Sequence, residues 1–131
     1  MILDGLEAVQ AAAGTHLGYS DWLEVGPERV AGFAAATGDP DATFLAVSLS
    51  NFFLPQIVEV QGVSMGVNYG ANQVRLAPQL SLAGRRVRAG AELTEVTPIA
   101  GGVQTTMVIT VELDGGDEPA CVIESLSRWM E

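Results

Sequence analysis

Asp39 and Asp41 flank a proline in "ATGDPDATFLAVSL", residues 36–49, directly ahead of an almost wholly apolar helix pattern. A carboxylate set against an apolar element is suited to acid–base work, because desolvation disfavours its charged form and raises its pKa. The same residues suit a turn that caps the next helix, and Asp41, two residues before Thr43, is the natural N-cap. Asp39 is left with both roles open.

Other chemistry is narrower. His16, in "GTHLGYSDW", is the only histidine. No HxxxH or HExxH spacing can be built, so zinc and facial-triad iron sites, and with them a metal or cofactor, are not expected. A Ser-His-Asp set could draw only on His16, and no GxSxG elbow occurs. There is no lysine, which removes Schiff-base chemistry. Cys121 is the only cysteine, which rules out disulfides within the chain, and reads as a small packed strand residue.

The net charge of −10 argues against nucleic acid as a partner. Arg85, Arg86 and Arg88 nevertheless cluster in "AGRRVRAG", where they either hold a phosphate-bearing tail or form an exposed strand face. Ser48 and Asn51 fall inside the apolar helix, where each needs a partner: they line a channel or satisfy the backbone. "NYGANQVR" adds Asn68 and Tyr69 as donors toward a pocket, or a Gly70 bulge whose turn the amides serve.

The elements that must position these residues follow from periodicity. At 131 residues the chain is expected to form one domain, residues 1–131. Residues 3–13 read as a short helix and "LGYSDWLEV" as a strand or arm. Pro27 and Glu28 open a helix that Gly38 stops, with Val30, Phe33, Ala34 and Thr37 on one face. The next helix, about Thr43 to Leu54, is apolar on nearly every side and is expected to be buried, with Pro55 ending it. Strands follow, with Val87, Ala89, Ala91 and Leu93 on one face and Arg86, Arg88, Glu92 and Thr94 on the other. Val103 through Leu113 alternate in the same way, and "LDGGDEP" turns into the last strand. Helix first and sheet afterwards predicts α+β: a curved antiparallel sheet wrapped around one buried apolar helix. The longest apolar run is too short to span a membrane, and the start lacks a basic region, so a cytoplasmic protein is expected.

In order and approximate spacing, "LGYSDWLEV", "ERVAGFAAATGD", "VSLSNFFLPQI", "MGVNYGANQVR", "GRRVRAGAELTEV", "GGVQTTMVITVEL" and "PACVIESLSRW" resemble the MaoC-like hydratases and dehydratases of the hot-dog fold. The resemblance implies a hot-dog dimer with an acyl-thioester channel near the subunit interface. It also implies water addition to a trans-2-enoyl thioester, or removal from an (R)-3-hydroxyacyl thioester. The family pairs an aspartate in the "TGD" turn with a histidine about five residues later. Asp39 matches the aspartate, but the histidine has no counterpart, and roughly fifteen to twenty residues that would carry it between Asp39 and Thr43 are absent, judged against the usual catalytic geometry. A missing acid–base partner lowers the rate by about 10²- to 10⁴-fold.

The resemblance also implies an oxyanion donor at the start of the buried helix, for which the Thr43 or Phe44 N–H would serve, although the family's glycine is missing. Asp39 is thus the expected catalytic residue, with Thr43, Phe44, Ser48, Asn51, Asn68 and Tyr69 at the substrate. Three readings stand: a hydratase or dehydratase using Asp39 alone; a scaffold repurposed as lyase, cyclase or isomerase on a polyketide-like intermediate; and a non-catalytic subunit that binds an acyl ligand or stabilises a catalytic paralogue. The expected assembly is a homodimer, or a heterodimer with a hot-dog paralogue. His16 would enter the site only if an N-terminal arm folded over it.

Overall fold

Alternation in the second half of the chain produces a sheet, and the apolar helix ahead of it lies on the sheet's inner face. The computed structural model describes residues 1–78 and 80–131. The chain runs β1 (Ile2–Asp4), α1 (Gly5–Ala11), β2 (Thr15–Tyr19), β3 (Leu23–Glu24), α2 (Pro27–Thr37), α3 (Leu45–Ile57), β4 (Glu59–Gln61), β5 (Met65–Leu76), β6 (Arg86–Ile99), β7 (Gly102–Leu113) and β8 (Cys121–Met130). Six strands form one antiparallel sheet in the order β2-β6-β7-β8-β5, with β3 also on β6. The segment expected to be wholly helical begins instead as β1, which pairs in parallel with β4.

The strand faces are as the alternation predicts. Val87, Ala89, Ala91 and Leu93 of β6 are fully buried, and the in-phase residues of β7 from Val103 to Leu113 are buried with them. Thr105 is the polar member of that row. Its hydroxyl donates to the Ser127 carbonyl at 3.4 Å and accepts from Trp129 Nε1 at 3.1 Å, which satisfies it inside the core.

Leu45, Leu49, Phe53 and Ile57 recur every fourth residue along α3 and bury one side of it against the sheet. The other side is open in the protomer: Phe44, just before the helix, is 54% exposed and Phe52 51%. Burial of α3 is therefore one-sided rather than all-round, because the sheet curves over a single face. The helix also runs through Pro55 to Ile57. Pro55 stands in the last turn, where the missing N–H removes only the bond to the Asn51 carbonyl. Gly38, in the left-handed region at φ 72°, closes α2 with its N–H on the Ala34 carbonyl at 2.9 Å.

β5 is an edge strand paired only with β8, and all of it but Leu76 is exposed. Its register slips between Asn68 and Gly70 and again between Ala71 and Gln73. These bulges decide which of its side chains face inward.

The adjacent phenylalanines give a direct test of one-sided burial. Phe53→Ala is expected to lose about 3–5 kcal/mol in urea unfolding, the usual range for a buried aromatic. Phe52→Ala should lose less than about 1 kcal/mol in protein dilute enough to be monomeric. Equal losses would place Phe52 in a buried contact.

Candidate functional site

Seven residues, 38–44, connect α2 to α3, and the connection is held largely by one side chain. Asp39 Oδ1 accepts the Asp41 N–H and its Oδ2 the Thr43 N–H, both at 3.0 Å. The Asp39 carbonyl accepts the Ala42 N–H at 3.1 Å, and Ala42 adopts φ 49°, a left-handed conformation unusual for a residue with a side chain. Asp39, not Asp41, is thus the residue that caps this turn. Asp41 is exposed.

The electrostatics of Asp39 run opposite to the sequence expectation. The Thr43 hydroxyl first, then the N–H groups of Thr43 and Asp41, hold its carboxyl below the ordinary value of 3.8. Desolvation acts in the raising direction but is the smallest influence, because nothing covers the carboxylate. Asp39 is therefore an ionised acceptor at neutral pH. The Thr43 N–H is committed to it, which leaves that group unavailable as an oxyanion donor in this conformation.

Beside the turn is a depression of about 510 Å³ lined by Val30, Pro40, Asp41, Thr43 and Leu80. A separate groove of about 340 Å³ lies between α3 and the β5–β8 side of the sheet. Ser48 and Asn51 of α3 reach it from one wall and Asn68 of β5 from another, so the structure brings together three of the residues singled out in the sequence. Tyr69 is not with them. As Asn68's neighbour in the strand it faces the other way, to the outer face, where the Arg128 guanidinium stacks 3.7 Å from its ring centroid. Phe44 and Thr43 sit at the turn, away from that groove's lining.

The groove also contains Ser50, Ser125 and Ser127, which sequence reasoning passed over. A signal for two of them was present. Ser125 and Ser127 fall in phase with Cys121 and Ile123 of β8, at inward positions where the pattern calls for apolar residues.

His16 and the arginines lie on the outer face instead. His16 is fixed in β2, with Nδ1 accepting the Gly18 N–H at 3.1 Å and its ring 4.8 Å from Tyr19, rather than on an arm over Asp39. Arg86 pairs with Asp114 at 2.8 Å and Arg88 with Glu112. Arg88 also stacks on Tyr19 and Trp22, at 4.2 and 4.7 Å. Both guanidinium groups are engaged by acids of this chain, which favours the strand-face reading for Arg86 and Arg88 over a phosphate site; Arg85 lies just before β6, off that face. Cys121 is buried, and burial pushes its thiol up to about 11, so it is inert. Among the described residues, no group of His, Cys, Asp and Glu is placed to hold a metal.

A curved antiparallel sheet packed on one apolar helix defines a hot-dog domain, and known proteins share it. No family model matches the sequence. It is 37% identical to the 3-hydroxyacyl-thioester dehydratase Z of Mycobacterium tuberculosis over 140 aligned positions, covering 92% of each chain. Among solved structures it is similar to the monoamine oxidase regulatory protein of Archaeoglobus fulgidus, with a TM-score of 0.70, 17% identity, and coverage of 99% of this chain and 95% of that one. The (R)-hydratase of A. caviae involved in PHA biosynthesis gives a TM-score of 0.66 with 19% identity, over 88% and 94% of the two chains. The chain belongs to the MaoC-like hydratase and dehydratase family, whose members are lyases acting on acyl thioesters. Because 92% of 131 residues is about 120, about 20 of the 140 aligned positions have no residue here.

The lowered pKa of Asp39 has a signed consequence for stability. A carboxyl depressed on folding contributes stability that is present above its unfolded pKa, near 3.8, and is lost as pH falls through the lower folded value. Asp39→Ala should therefore lower the Tm at pH 7, with the gap from wild type closing below pH 4. A gap that persists unchanged at pH 2 would mean the carboxylate's charge is not what holds the turn.

Proposed function

We propose that the chain is an acyl-thioester hydratase or dehydratase in which Asp39 is the only acid–base group retained from the family's pair. The observation that carries this is the Asp39 carboxylate itself: in the family's turn, fixed by two N–H groups at 3.0 Å, ionised, and next to the depression lined by Asp41 and Thr43. In that state it accepts a proton or orients a water; it does not donate. A base of lowered pKa is weak, and with no histidine behind it in the turn the reaction is slow. The twenty-odd alignment positions without a residue are in keeping with loss of the segment that would carry the histidine.

Such a site also fits an elimination, cyclisation or isomerisation that needs one base, on an acyl-thioester or polyketide-like intermediate. The exposed edge of β5 and the open side of α3, with Phe52, support a dimer of like chains or of this chain with a hot-dog paralogue. No helix among the described residues is long and apolar enough to cross a membrane.

A second reading is favoured by one specific fact: both Asp39 oxygens are already committed to the backbone turn. On that reading the chain holds an acyl ligand and supports a catalytic paralogue. Hydration of short, medium and branched enoyl thioesters, followed by loss of conjugated absorbance, separates the two. Slow turnover that falls at least about 10-fold in Asp39→Asn, with the fold intact by circular dichroism, is the expected outcome. Turnover indifferent to the substitution would remove Asp39 from the chemistry. No turnover, with saturated acyl thioesters still binding, would favour the supporting subunit.

A further inference from the structure

The groove between α3 and the β5–β8 side breaks the pattern of the rest of the interior. β8 places Cys121 and Ile123 inward, then continues on the same face with Ser125 and Ser127. Across β5 the inward positions opposite these two are Ala71 and Asn68. The bulge after Asn68 makes this possible, since it keeps Asn68 and Ala71 on one face although they are three residues apart. From the helix side, Asn51 and Ser48 face this polar row, while the apolar lining is shared between the helix, through Val47 and Leu54, and the sheet, through Val74, Ile109 and Ile123.

Among the described residues no charged side chain lines this groove. The Ser48 and Ser50 hydroxyls donate to carbonyls of their own helix, at 2.8 and 2.6 Å, and keep their lone pairs free. The carboxamides of Asn51 and Asn68 and the hydroxyls of Ser125 and Ser127 make no hydrogen bond within the described chain. Neutral donors and acceptors thus converge on the groove from both helix and sheet, among apolar neighbours. A hydrocarbon tail would cover these groups without satisfying them, a loss that a tail bearing oxygen atoms avoids.

We propose, on the reading that this chain binds an acyl thioester, that the groove selects an acyl chain carrying hydroxyl or carbonyl oxygens along its length over a plain aliphatic one. Asn68 and Ser127, paired across β5 and β8, are the central specificity-determining residues, with Asn51 facing them from α3.

The test is calorimetric titration of the full chain with two probes: octanoyl-coenzyme A, and the same thioester with hydroxyls on two interior carbons. Wild type should bind the hydroxylated probe about 10-fold more tightly, and Asn68→Leu combined with Ser127→Ala should bring the ratio to about 1. If that double variant fails to fold, Asn51→Ala and Ser125→Ala, at accessible positions, should each lower the ratio. Equal affinities in wild type, or a ratio that the substitutions leave unchanged, would overturn this inference while leaving acyl-thioester binding intact. Failure of both probes to bind would overturn the acyl-thioester reading with it. A ratio that moves only together with self-association in sedimentation would assign the groove to a contact between copies and overturn the selectivity.

Discussion

The chain must reverse from α2 into α3 within seven residues, and the site depends on how that is done. Gly38 supplies one left-handed residue at no steric penalty, but Ala42 supplies a second at φ 49°, which a residue with a Cβ adopts at a cost of roughly 1–2 kcal/mol. Its methyl is buried, and the Asp39 carboxylate bridges the N–H groups on either side of it. The same carboxylate is the group that the family's chemistry would use. On the proposed reading, fold and chemistry would draw on one set of lone pairs; the bonds that stabilise the turn are the same ones that lower the carboxyl's pKa.

The second constraint is the two-sidedness of α3. Its fourfold apolar spacing fixes one side to the sheet, and the opposite side meets water in the protomer through Phe52. Between these sides runs a flank carrying Ser48 and Asn51, which faces the polar half of the inner sheet surface. Core and groove are thus adjacent sectors of one helix. The apolar sector anchors it to β2, β6 and β7, and the polar sector lies toward β8, with the groove between.

Much of this was legible in the sequence, for reasons that can be named. Strand faces are local: a period of two in Val87–Leu93 or Val103–Leu113 assigns each side chain without knowledge of the rest. Helix α2 was legible from Pro27 and Gly38, whose backbone preferences mark its ends. What could not be read depended on distant partners or on single backbone angles. Asp41 looked the better cap by position, but Ala42 in the left-handed region shifts the free N–H groups onto Asp39. Ordinary strand alternation puts Asn68 and Tyr69, expected at one pocket, on opposite faces, and Tyr69 goes to the outer one. Pro55 signalled a helix end that came two residues later, since in a last turn the proline removes only one bond. One-sided burial of α3 depends on sheet curvature, which composition does not encode.

On the outer face, two of the chain's arginines are engaged by its own acids. Of the three arginines in "AGRRVRAG", Arg86 pairs with Asp114, just past β7, and Arg88 with Glu112 of β7, and each of the two lies over an aromatic ring. Gly90 is part of that arrangement: a Cβ there would come within 2.8 Å of the Tyr19 ring, so a side chain would displace Tyr19 from beneath Arg88. An anion seeking those two arginines would have to displace both acid and ring against a net charge of −10, and surface pairing of this kind gives up little energy. The field around the protein does not draw an anionic carrier in. On the proposed reading, selectivity would instead come from short-range contacts at the groove, where uncharged amides and hydroxyls discriminate by hydrogen bonding.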